Sequence, residues 1–226
     1  MYVEFVGVPG AGKTTIVEEV RVLLGISGID CITRADFFDT KQKRARKALW
    51  SFLHFRYLDI YGLILWLRLS WRRSMDVIKT GTRIHEYQKL RFELAKKRHE
   101  VAVWDNGFVQ WFSNHVYSGV LSKKAATDFI ADKLPRNTLL VFVDTSANES
   151  VRRMQEREAQ LRAEVGWKLS ETEERERIEA YAESWRVQKE LVDALGKQGF
   201  VSITLDGTKP PAENASIVYE RIKKQL

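Results

Sequence analysis

Cysteine is nearly absent from this chain of 226 residues. The single one, Cys31, cannot form a disulfide within one chain and excludes a zinc site built from several cysteines. The four histidines are scattered, without the short spacing of metal ligands: His54, His85, His99 and His115. Small disulfide- or zinc-stabilised domains are therefore excluded, and a chain of this length can bury a sufficient core without such crosslinks.

Long hydrophobic runs are also missing. The longest uninterrupted apolar stretch, from Ile60 to Leu67, is far shorter than the ~20 residues that a membrane-spanning helix needs. Met1 is followed at once by the strand-like Tyr-Val-Glu-Phe-Val, which is not the pattern of a signal peptide. We therefore expect a cytoplasmic protein, and peripheral contact with an anionic membrane is left open.

Excess charge is confined to one third of the sequence. The whole chain has 37 basic and 30 acidic side chains, a formal charge of +7, and its 44% hydrophobic residues exclude global disorder. Between Arg34 and Glu100 there are 17 Lys and Arg against 7 Asp and Glu, a net charge of +10, so the remainder has a net charge of −3. The length predicts a single domain over residues 1–226, and the basic third predicts an anionic partner.

Short apolar runs alternate with stretches of helical periodicity. Five runs have the length and composition of strands: Tyr2–Val8, Ile29–Thr33, Val101–Trp104, Leu139–Val143 and Val201–Leu205. The predicted helices are Thr14–Leu24 with Gly25 as its stop, about 41–73, about 82–99, two helices within 148–197 divided near Gly166, and a last one from Pro210-Pro211 to Leu226. Short apolar strands separated by helices predict an α/β fold with a parallel sheet covered on both faces.

A phosphate-binding motif is the strongest local signal. The stretch from Gly7 to Thr14, Gly-Val-Pro-Gly-Ala-Gly-Lys-Thr, fits G-x-x-x-x-G-K-[ST] and has a strand before it and a helix after it. Its glycines let backbone N–H groups face a phosphate at the positive end of the helix dipole. Lys13 can reach the β- and γ-phosphates, and the Thr14 hydroxyl can ligate Mg²⁺. A plain turn needs neither side chain, so the motif predicts binding of ATP or GTP.

Three further motifs follow later strands of the predicted sheet. They are Asp105-Asn106, the stretch from Asp144 to Arg153 with Arg157 beyond it, and Asp206-Gly207. With the phosphate loop, they make the chain resemble the thymidylate-kinase-like group of P-loop nucleoside and nucleotide kinases, which has Asp-Arg, D-x-x-P-E-x-A-x-x-R with a later Arg, and Asp-Gly in these places. The chain departs from the group at Asn106, where the group usually has Arg, and over about 37–81, which has no clear counterpart.

The resemblance implies a fold and a nucleotide site. The fold is a three-layer α/β/α P-loop fold with five parallel strands in the order 2-3-1-4-5, and a lid over about 153–175 brings Arg153 and Arg157 to the phosphates. The alternative for these arginines is a solvated helix with Glu–Arg pairs. By resemblance, Asp206-Gly207 lies near the adenine. The expected nucleotide-binding residues are Gly7, Pro9, Gly10, Ala11, Gly12, Lys13, Thr14, Thr15, Arg153, Asp206 and Gly207.

Asp36, Arg34 and Asp105 are the candidates for the acceptor side. In the resembling kinases a charged residue just after the second strand handles the acceptor, which suggests Asp36 as general base and Arg34 as clamp; the alternative for Asp36 is a helix N-cap. Asp105 lies where ligands of open α/β sheets collect, so it is a candidate for Mg²⁺ or for the acceptor, and a turn is the alternative. The expected catalytic residues are Lys13, Asp36, Asp105, Arg153 and Arg157, and the expected metal contacts are Thr14 and Asp105.

The basic third of the sequence is also aromatic. Basic residues at 41–47 and at Arg72-Arg73 flank a run interspersed with Trp, Phe and Tyr. This pattern fits an anionic substrate, a membrane interface or nucleic acid, and it also fits a buried helix with a basic solvated end. Because the region of about 37–81 follows the second strand, where the resembling kinases build the acceptor pocket, we expect an anionic or phosphorylated small-molecule acceptor. Nucleic acid is not favoured, and a homodimer is left open.

These features predict a kinase that uses ATP and Mg²⁺ to phosphorylate a nucleoside, a nucleotide or another small acceptor with a hydroxyl or phosphate group. A kinase of a glycan or of a lipid-linked saccharide at the membrane surface is the alternative among enzymes. A nucleotide-dependent regulatory switch is the alternative of another class, although the sequence has no N-K-x-D run of the kind that reads guanine.

Overall fold

The computed structural model describes residues 1–33, 100–162 and 169–226. In these residues, five parallel strands form one sheet: β1 Tyr2–Val6, β2 Cys31–Thr33, β3 Val101–Trp104, β4 Thr138–Asp144 and β5 Val201–Asp206. Their order is β2-β3-β1-β4-β5. The predicted α/β fold and strand order are confirmed, whereas the helices predicted at about 41–73 and about 82–99 lie outside the described residues.

Helices flank this sheet on both sides. The described residues contain α1 Lys13–Ile26, α2 Phe108–Tyr117, α3 Lys123–Lys133, α4 Ala147–Arg162, α5 Glu171–Lys197 and α6 Pro211–Lys223. The two helices predicted within 148–197 are α4 and α5, and α5 begins at a capping box between Ser170 and Glu173. The last helix opens at Pro211 as predicted, but it ends at Lys223 rather than at Leu226. No helix in the described ranges is both long enough and apolar enough to cross a membrane.

Two apolar clusters lie on opposite faces of the sheet. Along β1, Val3 and Phe5 belong to the cluster formed with α1 and α6, whereas Tyr2 and Val6 belong to the cluster formed with α2, α3 and α5. This alternation follows from the two-residue period of a strand, and helices on both faces make both sets of side chains apolar. Glu4 shares the α2 side with Tyr2 and Val6 and is fully buried there.

The end of α1 differs from the prediction. Gly25 lies inside the helix, and the left-handed residue that ends the helix is Gly28, with φ +71°. The Gly28 N–H donates to the Gly25 carbonyl and the Ile29 N–H donates to the Leu24 carbonyl, which are the paired bonds of a Schellman motif. Both glycines satisfy the helix-stop rule in sequence, and the backbone hydrogen bonds select the second.

The sequence predicted no helix or strand over residues 108–137, yet helices α2 and α3 both lie there. Phe108 and Phe112 of α2 pack edge-on at a ring-centroid distance of 4.8 Å, and both contact Phe129 of α3, stacked for Phe108 and tilted for Phe112. Tertiary packing of this kind stabilises helices in stretches rich in aromatic residues, whose intrinsic helix propensity is low.

Candidate functional site

In the described part of the chain, a cleft of about 670 Å³ lies at the carboxyl ends of the strands. Ligands of open parallel sheets bind at this edge. The residues that line the cleft are Pro9, Gly10, Ala11, Gly12, Lys13, Thr14, Thr15, Ile16, Asp105, Asn106, Gln110, Arg153, Arg157, Gly207, Thr208, Lys209, Pro210 and Pro211. The fold therefore brings the phosphate loop together with predicted residues from three other stretches of sequence.

The shape of the phosphate loop depends on its glycines. Gly10 and Gly12 have φ values of +84° and +90°, a left-handed conformation that side chains with a Cβ rarely adopt. At Gly10 a Cβ would in addition overlap the carbonyl oxygen of Ser150, because the loop passes directly against α4. The loop leads into the N-terminus of α1, where free N–H groups and the helix dipole favour an anion.

Replacing Gly10 with alanine is therefore expected to lower the free energy of unfolding by about 1–3 kcal/mol, since the new side chain is strained in φ and collides with α4. The matched control is Gly25→Ala, a helical glycine whose added Cβ would meet no atom within 4 Å; it should stabilise by about 0.5–1 kcal/mol. Urea titrations of both variants measure the difference. An unchanged free energy of unfolding in the Gly10→Ala protein would contradict the tight contact between the loop and α4.

The Lys13 ammonium lies against the loop that carries it. Its Nζ donates to the carbonyl oxygens of Gly7, at 2.5 Å, and Val8, at 2.9 Å. Burial lowers the pKa of Lys13 to about 8, and the nearby Asp105 carboxylate acts in the opposite direction. A desolvated cation hydrogen-bonded to neutral carbonyls gains from contact with an anion, and the cleft is where that anion can approach.

Thr14 and Asp105, the two predicted metal contacts, meet in the structure. The Thr14 hydroxyl donates to Asp105 Oδ2 at 2.8 Å. Hydroxyl and carboxylate oxygens suit Mg²⁺, which commonly binds through one or two carboxylates and completes its shell with phosphates and water. Because the described residues contain no group of three or more His, Cys, Asp or Glu able to hold a metal by itself, an ion here would depend on the nucleotide and on water for its other ligands.

Arg153 extends from α4 across to the phosphate loop. Its NH1 donates to the Gly207 carbonyl at 3.0 Å and lies 3.8 Å from the position of a Cβ on Gly12. Its Nε donates to Glu149 Oε1 at 2.6 Å, and hydrogen bonds from Arg152 and then Arg153 hold the pKa of Glu149 far below its usual value. Glu149 thus orients Arg153, and Arg157 also lines the cleft.

The predicted Asp206-Gly207 pair forms another part of the wall. The Gly207 N–H donates to the Asp144 carbonyl at 2.7 Å, and a Cβ at Gly207 would overlap the side chain of Thr145, so the chain passes very close to the end of β4. Only Gly207 of the pair lines the cleft. Asp206 Oδ1 instead accepts hydrogen bonds from the backbone N–H and the hydroxyl of Thr208, at 2.9 and 2.6 Å, which closes the turn after β5.

The remaining predicted residues divide into two groups. Pro9, Ala11 and Thr15 line the cleft as expected, whereas Gly7 contributes its backbone groups at the base of the loop. Arg34 and Asp36, the candidates for the acceptor, lie outside the described residues, as do the region of about 37–81 and residues 163–168 of the lid.

Two residues that the sequence did not single out lie at the site. Gln110, on the first turn of α2, lines the cleft, and its Oε1 accepts a hydrogen bond from the Gly7 N–H at 3.1 Å. Glu4, in β1, is buried against the first turn of α2 and accepts a hydrogen bond from the Gln110 N–H. The sequence does contain a signal for both residues, namely a carboxylate within an apolar strand and an amide within an apolar aromatic stretch. Burying such a polar group is unfavourable unless its hydrogen bonds are satisfied, so each needs a specific partner.

Glu4 satisfies its hydrogen bonds mainly on α2. Oε1 accepts from the N–H groups of Val109, at 2.6 Å, and Gln110, at 3.1 Å, and Oε2 accepts from the Tyr2 hydroxyl at 3.1 Å. Complete burial raises the pKa of Glu4 to about 7, although these hydrogen bonds act in the opposite direction. A Cβ on Gly107 would lie 2.6 Å from Glu4 Oε2, so only glycine allows the chain to pass over this carboxyl group.

Comparison with protein-family models and with curated protein sequences finds no match to this chain.

Proposed function

We propose that this protein is a kinase that transfers the γ-phosphoryl group of ATP, with Mg²⁺, to a small acceptor. The observation that carries the proposal is the convergence of two cations on the phosphate loop. Lys13 comes from the loop itself, and the Arg153 guanidinium comes from α4 to within 3.8 Å of a Cβ position on Gly12. Phosphoryl transfer is accelerated mainly by positioning and by neutralising the charge on the transferred group, and this arrangement supplies both.

Each part of the cleft has a task in this reaction. The N–H groups at the start of α1 bind the phosphates, and Lys13 exchanges the carbonyls of Gly7 and Val8 for phosphate oxygens. The oxygens of Thr14 and Asp105, which lie together at the cleft, would hold the metal ion. Bound Mg²⁺ would neutralise charge on the β- and γ-phosphates. Arg153, oriented by Glu149, covers the same phosphates from the opposite wall.

The transfer itself is a displacement at phosphorus. An oxygen of the acceptor forms a bond to the γ-phosphorus while the bond to the β,γ-bridging oxygen breaks, and ADP leaves with that electron pair. A hydroxyl acceptor must also lose its proton to a base, for which Asp36, which follows β2 in the sequence, is the candidate. A phosphate acceptor already presents an ionised oxygen and needs no base.

The acceptor is proposed to be anionic or phosphorylated, because the net charge of +10 lies in the segment between Arg34 and Glu100. Resemblance to the thymidylate-kinase-like group favours a nucleoside or nucleotide. Asn106, which lines the cleft where that group usually has Arg, argues for an acceptor other than thymidine monophosphate.

An acceptor panel tests the proposal. The purified protein is incubated with ATP or GTP and Mg²⁺, and ADP or GDP release is followed with nucleosides, nucleotides, sugar phosphates, a glycan fraction and a lipid-linked saccharide fraction, with EDTA as the blank. Acceptor-dependent release, with a phosphorylated product detected by mass spectrometry, supports a kinase. Release that no acceptor stimulates would instead support a regulatory nucleotide hydrolase.

Arg153 and its neighbour Arg152 form a matched pair for a second test. Arg153→Ala is expected to lower kcat/KM for ATP by roughly 10- to 100-fold, the range for losing a hydrogen bond to a charged group. Arg152 faces away, bonded to Glu149 and Glu156 at the exposed surface, and Arg152→Ala should change kcat/KM less than about twofold. Equal losses in the two variants would contradict a role for Arg153 at the phosphates.

A further inference from the structure

The first turn of α2 is anchored by a residue from another element. Gly107, which precedes the helix, has no side chain to cap it, and the unpaired N–H groups of the first turn need acceptors. The buried Glu4 carboxyl, which is 105 residues away in sequence from Val109, accepts from two of them. It thereby fixes where α2 begins, and with it the Asp105–Gly107 turn that Glu4 underlies.

The same turn of α2 continues to the phosphate loop. Gln110 is bound to Glu4 through its backbone N–H, and its side chain accepts from the Gly7 N–H. Gln110 is 7% exposed, so this amide is well shielded from water although it lines the cleft. Two hydrogen bonds in succession therefore connect a carboxyl in the middle strand to the first residue of the phosphate loop.

We propose that Gln110 and Glu4 are positioning residues for the phosphate loop: Gln110 holds the Gly7 peptide, and Glu4 holds the turn of α2 that carries Gln110. The inference rests on the proposed function, because it concerns the loop that is to bind the phosphates of ATP. It assigns to α2 a role in binding phosphate that the motif from Gly7 to Thr14 does not contain.

The bond from Gln110 matters most when nucleotide binds. In the structure the backbone of Gly7 is held at both of its polar groups, by Lys13 at the carbonyl and by Gln110 at the N–H. When Lys13 turns to a phosphate, the carbonyl loses that donor, but the bond to Gln110 does not depend on Lys13. Gln110 thus keeps the start of the loop in place, so that the N–H groups beyond it do not have to be ordered by the ligand at a cost in affinity.

Binding of Mg·ATP and of Mg·tripolyphosphate to the Gln110→Met protein tests the role of Gln110. Methionine has a similar length and is apolar, so it keeps the packing on α2 and removes the acceptor for Gly7. Calorimetric titration is expected to show roughly 5- to 10-fold weaker binding of both ligands, the effect of one hydrogen bond. Because tripolyphosphate has no base or sugar, equal losses for the two ligands locate the defect at the phosphate loop.

A pair of variants tests Glu4. Glu4→Gln keeps an acceptor for the N–H groups of Val109 and Gln110, whereas Glu4→Leu removes it. We expect Glu4→Gln to bind both ligands within about twofold of the wild type and Glu4→Leu to bind them at least as weakly as Gln110→Met. Urea unfolding of each variant is measured in parallel. If Glu4→Leu does not fold, the binding measurements on Gln110→Met test the inference.

The outcomes separate this inference from the proposed function. If the wild type binds both ligands and Gln110→Met binds them equally well, the inference is overturned and the proposed function stands. The inference is also overturned if Gln110→Met weakens ATP but not tripolyphosphate. If the wild type binds neither ligand, the loop holds no phosphates, and both the proposed function and the inference fall.

Discussion

Replacing Lys13 with alanine is expected to lower kcat for acceptor-dependent ADP release by roughly 10²–10³-fold, the usual effect of removing one preorganised charge-stabilising donor from a transition state. Lys13 is the first residue of α1, and its Nζ is held at the loop by the Gly7 and Val8 carbonyls. Its burial makes it dependent on an anionic partner. We therefore expect a larger loss in kcat than in the affinity for ATP, because charge on the transferred group is what Lys13 neutralises.

Steady-state kinetics with the best acceptor of the panel measure this effect. Lys124→Ala is the control, since Lys124 lies on the exposed face of α3, paired with Asp128, and does not line the cleft. Lys13→Arg keeps the charge but replaces a compact ammonium with a planar, longer group, so it should recover only a small part of the activity. A Lys13→Ala protein with more than about a tenth of the wild-type kcat would falsify the placement of the transferred phosphoryl group beside Lys13.

The stability of the folded protein is expected to fall between pH 4.5 and 8 because of Glu4. Its pKa is raised from 4.5 to about 7 by burial. Below pH 4.5 the carboxyl is protonated in both the folded and the unfolded chain. As the pH rises toward 7 the unfolded chain ionises and the folded chain does not, so unfolding becomes easier, and the loss is complete once the pH has passed through the folded pKa, at about pH 8. The raised pKa corresponds to roughly 3 kcal/mol.

Glu4→Gln isolates this contribution, because glutamine imitates the protonated carboxyl and cannot ionise. Its oxygen can accept from α2, and its NH₂ group can donate to the Tyr2 hydroxyl. Urea titrations at pH 5, 6, 7 and 8 should show the variant gaining most of that roughly 3 kcal/mol relative to the wild type as the pH rises. The control is Glu220→Gln at an exposed position of α6, which should follow the wild type throughout. A constant difference between Glu4→Gln and the wild type would show that Glu4 ionises alike in both states.

The stretches that the sequence predicted well are those whose signal is local. The five apolar strands, the loop between β1 and α1 and the stretch from Asp144 to Arg153 each lie within about ten residues. Their structural consequence follows from covalent geometry and from the periods of strand and helix. The end of α1 shows the limit of such rules, because Gly25 and Gly28 satisfy the same rule and only the Schellman hydrogen bonds distinguish them.

Helix α2 shows a different limit. Many of its residues are aromatic and of low helix propensity, and its first turn is capped by the carboxyl group of Glu4, which is 105 residues away from Val109 in sequence. Neither helix α2 nor its capping residue Glu4 can be predicted from the sequence of α2 or of β1 alone. Gln110 was missed for this reason, although it is the side chain that bonds to the phosphate loop.

What the sequence determines by itself is the local make-up of the loop from Gly7 to Thr14: the glycines that let it curl, the lysine and the threonine, and the strand and helix that frame them. Tertiary structure decides which charges reach that loop. Arg152 and Arg153 are adjacent and chemically identical, yet only Arg153 faces the cleft, because the contact between Ser150 and Gly10 sets the rotation of α4 against the loop. Gln110 reaches the loop, and Glu4 reaches Gln110, only because β1 and α2 pack together across about a hundred residues of chain.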